Sequence, residues 1–139
     1  MEIFVHNESA PALDDPQRGP YLRWLVYYGS CFEPAVVDRA MKREPGQLAM
    51  VPYGDYDTML KTLTGQLAKG PYLLGEQISA ADVLWGTALT WTTMFKLVPE
   101  LPVIKDYIGR LGTRPSVAKV KDLDAKLSAE HEAAAKQTA

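Results

Sequence analysis

Very few residues of this chain are of types that carry out chemistry. Among 139 residues there is one cysteine and there are two histidines. A cysteine becomes a nucleophile when a nearby cation or a helix N-terminus stabilises its thiolate. Cys31 instead sits in the middle of an expected helix among apolar residues and reads as a buried, inert thiol. His6 and His131 lie toward the two ends, and neither is spaced from a second His or Cys as a metal ligand would be, so no metal site is expected. Gly70, Gly75 and Gly86 lack the spacing of a phosphate-binding loop. That leaves Ser79 and Asp82. A Ser followed three residues later by an acidic side chain, ahead of an apolar run, is the pattern of a capping box. Each residue then satisfies a backbone donor of the other, so Asp82 is expected to be structural and not catalytic.

The elements that must position these residues are helical. Alternating runs joined by Asn-Gly or Asp-Gly turns, as hairpins would need, do not recur. Met1 to Val5 has strand-forming residue types but nothing to pair with. After the loop-like stretch Ala10 to Pro16, a long helix is expected over Pro16 to Arg43. Its two apolar stripes are Leu22, Leu25, Gly29, Phe32, Val36 and Tyr21, Trp24, Tyr28, Cys31, Ala35. Pro34 inside it predicts a kink. Further helices are expected over Pro52 to Lys69, Ser79 to Lys96, Val103 to Leu111 and from Pro115. The third is apolar on all sides, with Val83, Leu84, Trp91, Met94 and Phe95, which predicts the buried centre of a bundle. The fifth continues through Val117, Val120, Leu123 and Leu127, and its polar, Ala-rich end is expected to fray. The fold class is therefore all-α, a bundle of about five helices. One domain spans 1–139, with a loop or leader over 1–15 and a polar tail over 128–139.

Composition sets outer limits. Apolar residues make up 47% and the formal net charge is −2, which gives no electrostatic case for nucleic acid or an anionic membrane surface. No stretch approaches the apolar length of a membrane span. The N-terminus lacks the basic start and apolar run of a signal peptide, and a single cysteine cannot form an internal disulfide. The expected location is the reducing cytoplasm.

Three ordered motifs closely resemble the C-terminal domain of glutathione transferases. Tyr72-Leu73-Leu74-Gly75-Glu76-Gln77-Ile78-Ser79-Ala80-Ala81-Asp82 matches the family pattern P-Y-L-x-G-x-x-F-S-x-A-D, with Ile78 in place of the usual Phe. Tyr21-Leu22-Arg23-Trp24-Leu25 is similar to the start of that domain's first helix. Pro102, Tyr107, Arg110, Arg114 and Pro115 match its ending. The resemblance covers roughly Asp14 to Val120.

In that family an N-terminal thioredoxin-like domain binds and activates glutathione, and the first helix of the C-terminal domain walls the pocket for the hydrophobic co-substrate. The resemblance implies that on this chain the wall is Arg23, Val26, Tyr27, Ser30 and Glu33. Tyr27 would stack on an aromatic electrophile, and Ser30 would donate a hydrogen bond. The alternative for the same strip is a solvated or dimer-contacting face. No βαβ pattern precedes the first helix, so the chain is expected to lack the glutathione-binding half and to be inactive alone. Glutathione would be a co-substrate only where that half is supplied. Glu8-Ser9 is a pair of the kind that holds the γ-glutamyl group, but without the preceding strand and proline it reads as a coincidence. Expected partners are a second copy, a thioredoxin-like domain or another protein. The competing function is a stand-alone interaction or scaffolding module of the same fold.

Overall fold

A computed structural model describes residues 9–44 and 46–137. The expected strand at Met1 to Val5, together with His6 and Glu8, lies outside the described residues. The helices are α1 (Arg18–Tyr27), α2 (Glu33–Ala40), α3 (Tyr56–Leu67), α4 (Ala80–Met94), α5 (Pro102–Gly112) and α6 (Pro115–Gln137). A π-helical turn, Tyr28–Phe32, joins α1 to α2 without a break. Counted as one path, these two make five helices, and no extended strand occurs among the described residues.

The kink expected from Pro34 takes the form of this π turn. Proline has no N–H to give the preceding turn and crowds it. The Glu33 N–H bonds Tyr28 O, five residues back, so the widened turn absorbs the mismatch. The extra residue also shifts the buried face. Tyr21 and Trp24 are buried before the turn, and Phe32, Ala35 and Val36 after it. An uninterrupted stripe through Leu22 is not found; Leu22 is exposed.

Each remaining helix begins with a recognisable device. Asp55 caps α3 by accepting the Thr58 N–H at 2.7 Å. Pro102 opens α5 in its first turn, where the absent N–H costs nothing. The core is built from Met59, Leu63 and Leu67 of α3, Trp85 and Leu89 of α4, and Ile104, Tyr107 and Leu111 of α5, against the α1–α2 face. Helix α4 lies between α1 and α5. At Gly86 a Cβ would run into the Leu111 side chain, so glycine sets how closely α4 and α5 approach.

Two expectations need correction. α4 is not buried all round: Ala81, Asp82, Trp85, Gly86, Leu89 and Thr93 face inward, but Val83, Trp91, Met94 and Phe95 are more than half exposed. No described element covers that side. The stripe of α6 is likewise not packed inward, since Val120, Leu123 and Leu127 are about half exposed. The helix also continues to Gln137 through the segment expected to fray; Ala133 to Ala135 and the flanking charged residues are strong helix formers.

Candidate functional site

Asp82 is fully buried and organises the molecule. Its Oδ2 accepts the Ser79 backbone N–H at 2.8 Å and the Ser79 hydroxyl at 2.9 Å. Its Oδ1 accepts the Leu73 N–H and the Tyr107 hydroxyl, both at 2.8 Å. The capping box expected from sequence is present. Its carboxylate reaches beyond the box to the 71–75 connection and to α5.

The connection is shaped for this purpose. Tyr72 and Gly75 exchange two backbone hydrogen bonds at 3.0 and 3.1 Å, with Gly75 at φ +110, a conformation side chains other than glycine's rarely adopt. The tight turn aims the Leu73 N–H inward. Gln66 Nε2 donates to Leu73 O, and Arg110 Nε donates to Pro71 O. Residues from two of the sequence motifs thus meet in one network. Burial first, then the Asp82 charge, pushes the Tyr107 phenol far above its ordinary range. Asp82 and Tyr107 are both buried, and the network joins α4, the 71–75 connection and α5.

The strip on the first helix is only partly a surface. Val26 is 65% exposed, and Arg23 and Glu33 are exposed beside it. The Arg23 guanidinium lies 5.6 Å from the centre of the Trp24 ring. Tyr27 turns inward. Its hydroxyl donates to Met59 O at 3.1 Å, its ring packs edge-on to Trp24 and stacked with Trp85, and burial raises its pKa. Ser30 Oγ donates to Val26 O at 2.8 Å, which leaves its oxygen free to accept. Cys31 is partly exposed rather than buried, 3.7 Å from Pro52 O and 3.5 Å from Ser30 Oγ.

Sequence reasoning did not single out the open face of α4. There Trp91 and Phe95 stack with ring centres 5.6 Å apart and planes at 21°, with Met94 beside them in sequence and Val83 nearer the helix start. A signal was available: the small residues Ala81 and Gly86 mark the packed side, and the large apolar ones therefore fall opposite. α4 and α1 are in direct contact through Trp85 Nε1, which donates to Trp24 O at 3.0 Å. Both helices expose apolar side chains, Val26 between Arg23 and Glu33 on one and Val83, Trp91 and Met94 beside Thr87 and Thr90 on the other. Such surfaces hold flat, apolar molecules by stacking and burial.

A separate open cleft of about 860 Å³ lies beside the N-terminal segment, lined among others by Asp15, Gln17, Tyr72, Glu76 and Arg114. Ser79 also lines it, with its hydroxyl donating to Asp82 Oδ2 at 2.9 Å. Among the described residues no group of three metal-ligating side chains is found. Among the described residues there is no cis peptide bond. No described helix is long and apolar enough to cross a membrane.

Residues 53–110 match the family model for the glutathione S-transferase C-terminal domain. Three solved structures are similar in fold. One is BphK, a bacterial glutathione transferase, in a ternary complex (25% identity, TM-score 0.64, covering 81% of this chain and 56% of that one). Another is a glutathione transferase from Methylococcus capsulatus (23%, 0.66, 85% and 59%). The third is a glutathione S-transferase from Actinobacillus pleuropneumoniae (23%, 0.64, 84% and 54%). The chain therefore spans between half and three fifths of the length of these proteins. No curated protein sequence matches it. Residues 53–110 thus carry a match to the glutathione S-transferase C-terminal domain, and the all-helical bundle around Asp82 shares the fold of these glutathione transferases.

Proposed function

We propose that this domain supplies the electrophile side of a glutathione transferase. A thioredoxin-like half, in the same polypeptide or in a partner, would bind glutathione and lower its thiol pKa. This half would hold the apolar electrophile against the thiolate and keep water out. The observation that carries the reading is the open face of α4. A helix apolar on all sides is normally buried on all sides, and Val83, Trp91, Met94 and Phe95 are uncovered. The neighbouring α1 strip, Arg23, Val26, Tyr27, Ser30 and Glu33, belongs to the same wall. Val26 and Arg23 would touch the ligand, Ser30 would accept a hydrogen bond, and Tyr27 would brace the wall from behind. Glutathione is the co-substrate in this reading, a homodimer the assembly and the cytoplasm the location. Nucleic acid and membrane play no part.

An immunoblot of the endogenous protein, with an antibody raised against this chain, comes first. A band heavier by about eighty residues, the usual size of such a domain, supports the reading. Conjugation assays on that protein should then show Trp91→Ala and Val26→Asp raising KM for an apolar electrophile at least several-fold, with KM for glutathione unchanged. A protein that binds glutathione yet conjugates nothing, with both variants silent, would favour the scaffolding module instead.

A further inference from the structure

We infer that the open face of α4 selects flat aromatic compounds that carry a hydrogen-bond donor, a hydroxyl or an N–H, and that Thr87 and Thr90 make the choice. The inference rests on reading this face as the electrophile wall and adds the class of substrate it takes. The single charged residue of α4 is Asp82, and it is buried. The exposed residues of the helix are Val83, Thr87, Thr90, Trp91 and Met94. A ring laid on this face therefore meets no charge from α4. The only side-chain oxygens it meets there are the two threonine hydroxyls.

The hydrogens of both hydroxyls are already in use. Thr87 Oγ1 donates to Val83 O at 2.8 Å, and Thr90 Oγ1 donates to Gly86 O at 2.7 Å, each one turn back. Thr92 and Thr93, further round the helix, do the same to Ala88 O and Leu89 O. A hydroxyl that donates in this way keeps its lone pairs and can still accept. Backbone N–H groups in the body of the helix are taken up by its own carbonyls. Among the five exposed side chains the Trp91 indole N–H is the one remaining donor. Residues four apart are neighbours on a helix surface, which sets Thr87 between Val83 and Trp91, and Thr90 beside Met94. The stack of Trp91 on Phe95 gives this row a flat aromatic end. A ring resting against Trp91 and over Thr87 satisfies the threonine oxygen only by donating to it. A nitro, ether or carbonyl oxygen at the same place sets lone pair against lone pair and leaves both without a partner. A phenolic hydroxyl donates to the threonine and can still accept from the indole N–H.

An NMR titration of the full chain at neutral pH, with β-naphthol and with its methyl ether, tests the inference. The ether keeps the oxygen and lacks the donor. Both compounds should shift the Trp91 Nε1–H and the Thr87 and Thr90 amide signals. The naphthol should bind about three- to tenfold more tightly, the effect of one neutral hydrogen bond. Thr87→Val/Thr90→Val keeps the shape of two exposed side chains and removes their oxygens. It should bring the naphthol to the affinity of the ether, with helix content preserved by circular dichroism. Equal affinities in the unsubstituted chain overturn the inference and leave the reading of α4 as the wall standing. A preference that survives the valine changes overturns it too. If neither compound moves the α4 signals, the wall reading falls and the inference falls with it.

Discussion

The Tyr107 hydroxyl donates to the buried Asp82 carboxylate at 2.8 Å, across 25 residues of sequence, and so ties the middle of α5 to the first turn of α4. A hydrogen bond to a charged acceptor contributes more than a neutral one. Tyr107→Phe should therefore lower stability by about 1.5–3 kcal/mol, read as a lower urea midpoint with an unchanged slope. Asp82→Asn should cost more, because its NH₂ must face one of the Leu73, Ser79 or Tyr107 donors. Equal midpoints for the two variants would contradict the hub role given to Asp82.

Helix α4 approaches α5 at Gly86, where a side chain would meet Leu111. Gly86→Val should destabilise by about 1–3 kcal/mol through overpacking. Gly86→Ala should cost less, since alanine regains up to about 1 kcal/mol of helix propensity over glycine. Thermal unfolding of the two variants checks the order.

Acid stability should depend on the cap of α3. Hydrogen bonds from the Thr58 N–H and then its hydroxyl hold the Asp55 carboxyl below the usual carboxylate range. The unfolded chain, at the ordinary value, takes up the proton first as pH falls. The contribution is therefore present above about pH 4 and is lost as pH drops through the folded value. Asp55→Asn keeps a capping oxygen without a titrating group, so its stability profile should be flatter in that window.

At high pH the direction reverses. Burial raises the phenols of Tyr27, Tyr28 and Tyr56, and burial with the Asp82 charge raises Tyr107 further. Unfolded phenols ionise near pH 10, so the contribution is complete below that value and falls as pH rises. Phenolate absorbance should appear largely together with loss of helix. Ionisation of these tyrosines in a fully folded chain would contradict their placement.

Of three tryptophans, Trp24 and Trp85 are buried while Trp91 is 55% exposed. Iodide quenching should reach one emitting population in this chain, and Trp91→Phe should abolish it. In a protein carrying a thioredoxin-like half, the same population should be protected.

Much of the fold was legible because its determinants are local. Ser79 and Asp82 are three residues apart, Pro102 and Pro115 mark first turns, and the three- and four-residue steps of α3 and α5 repeat within each helix. Local signals also located the break near Pro34. They did not give its form, because a π turn depends on which residues must stay buried beyond it.

The sequence by itself determined an all-helical fold, motifs that resemble the glutathione transferase C-terminal domain, and the capping box of Ser79 and Asp82. It could not determine which side of an all-apolar helix is covered. That depends on what packs against α4 and α6, and periodicity records only that a face is apolar, not whether a neighbour reaches it. Tertiary structure alone placed Tyr27 against Met59 O, joined Asp82 to Leu73 and Tyr107, and left Trp91, Phe95 and the α6 stripe facing outward. These contacts arise between residues distant in sequence, and packing around the Asp82 carboxylate decides them.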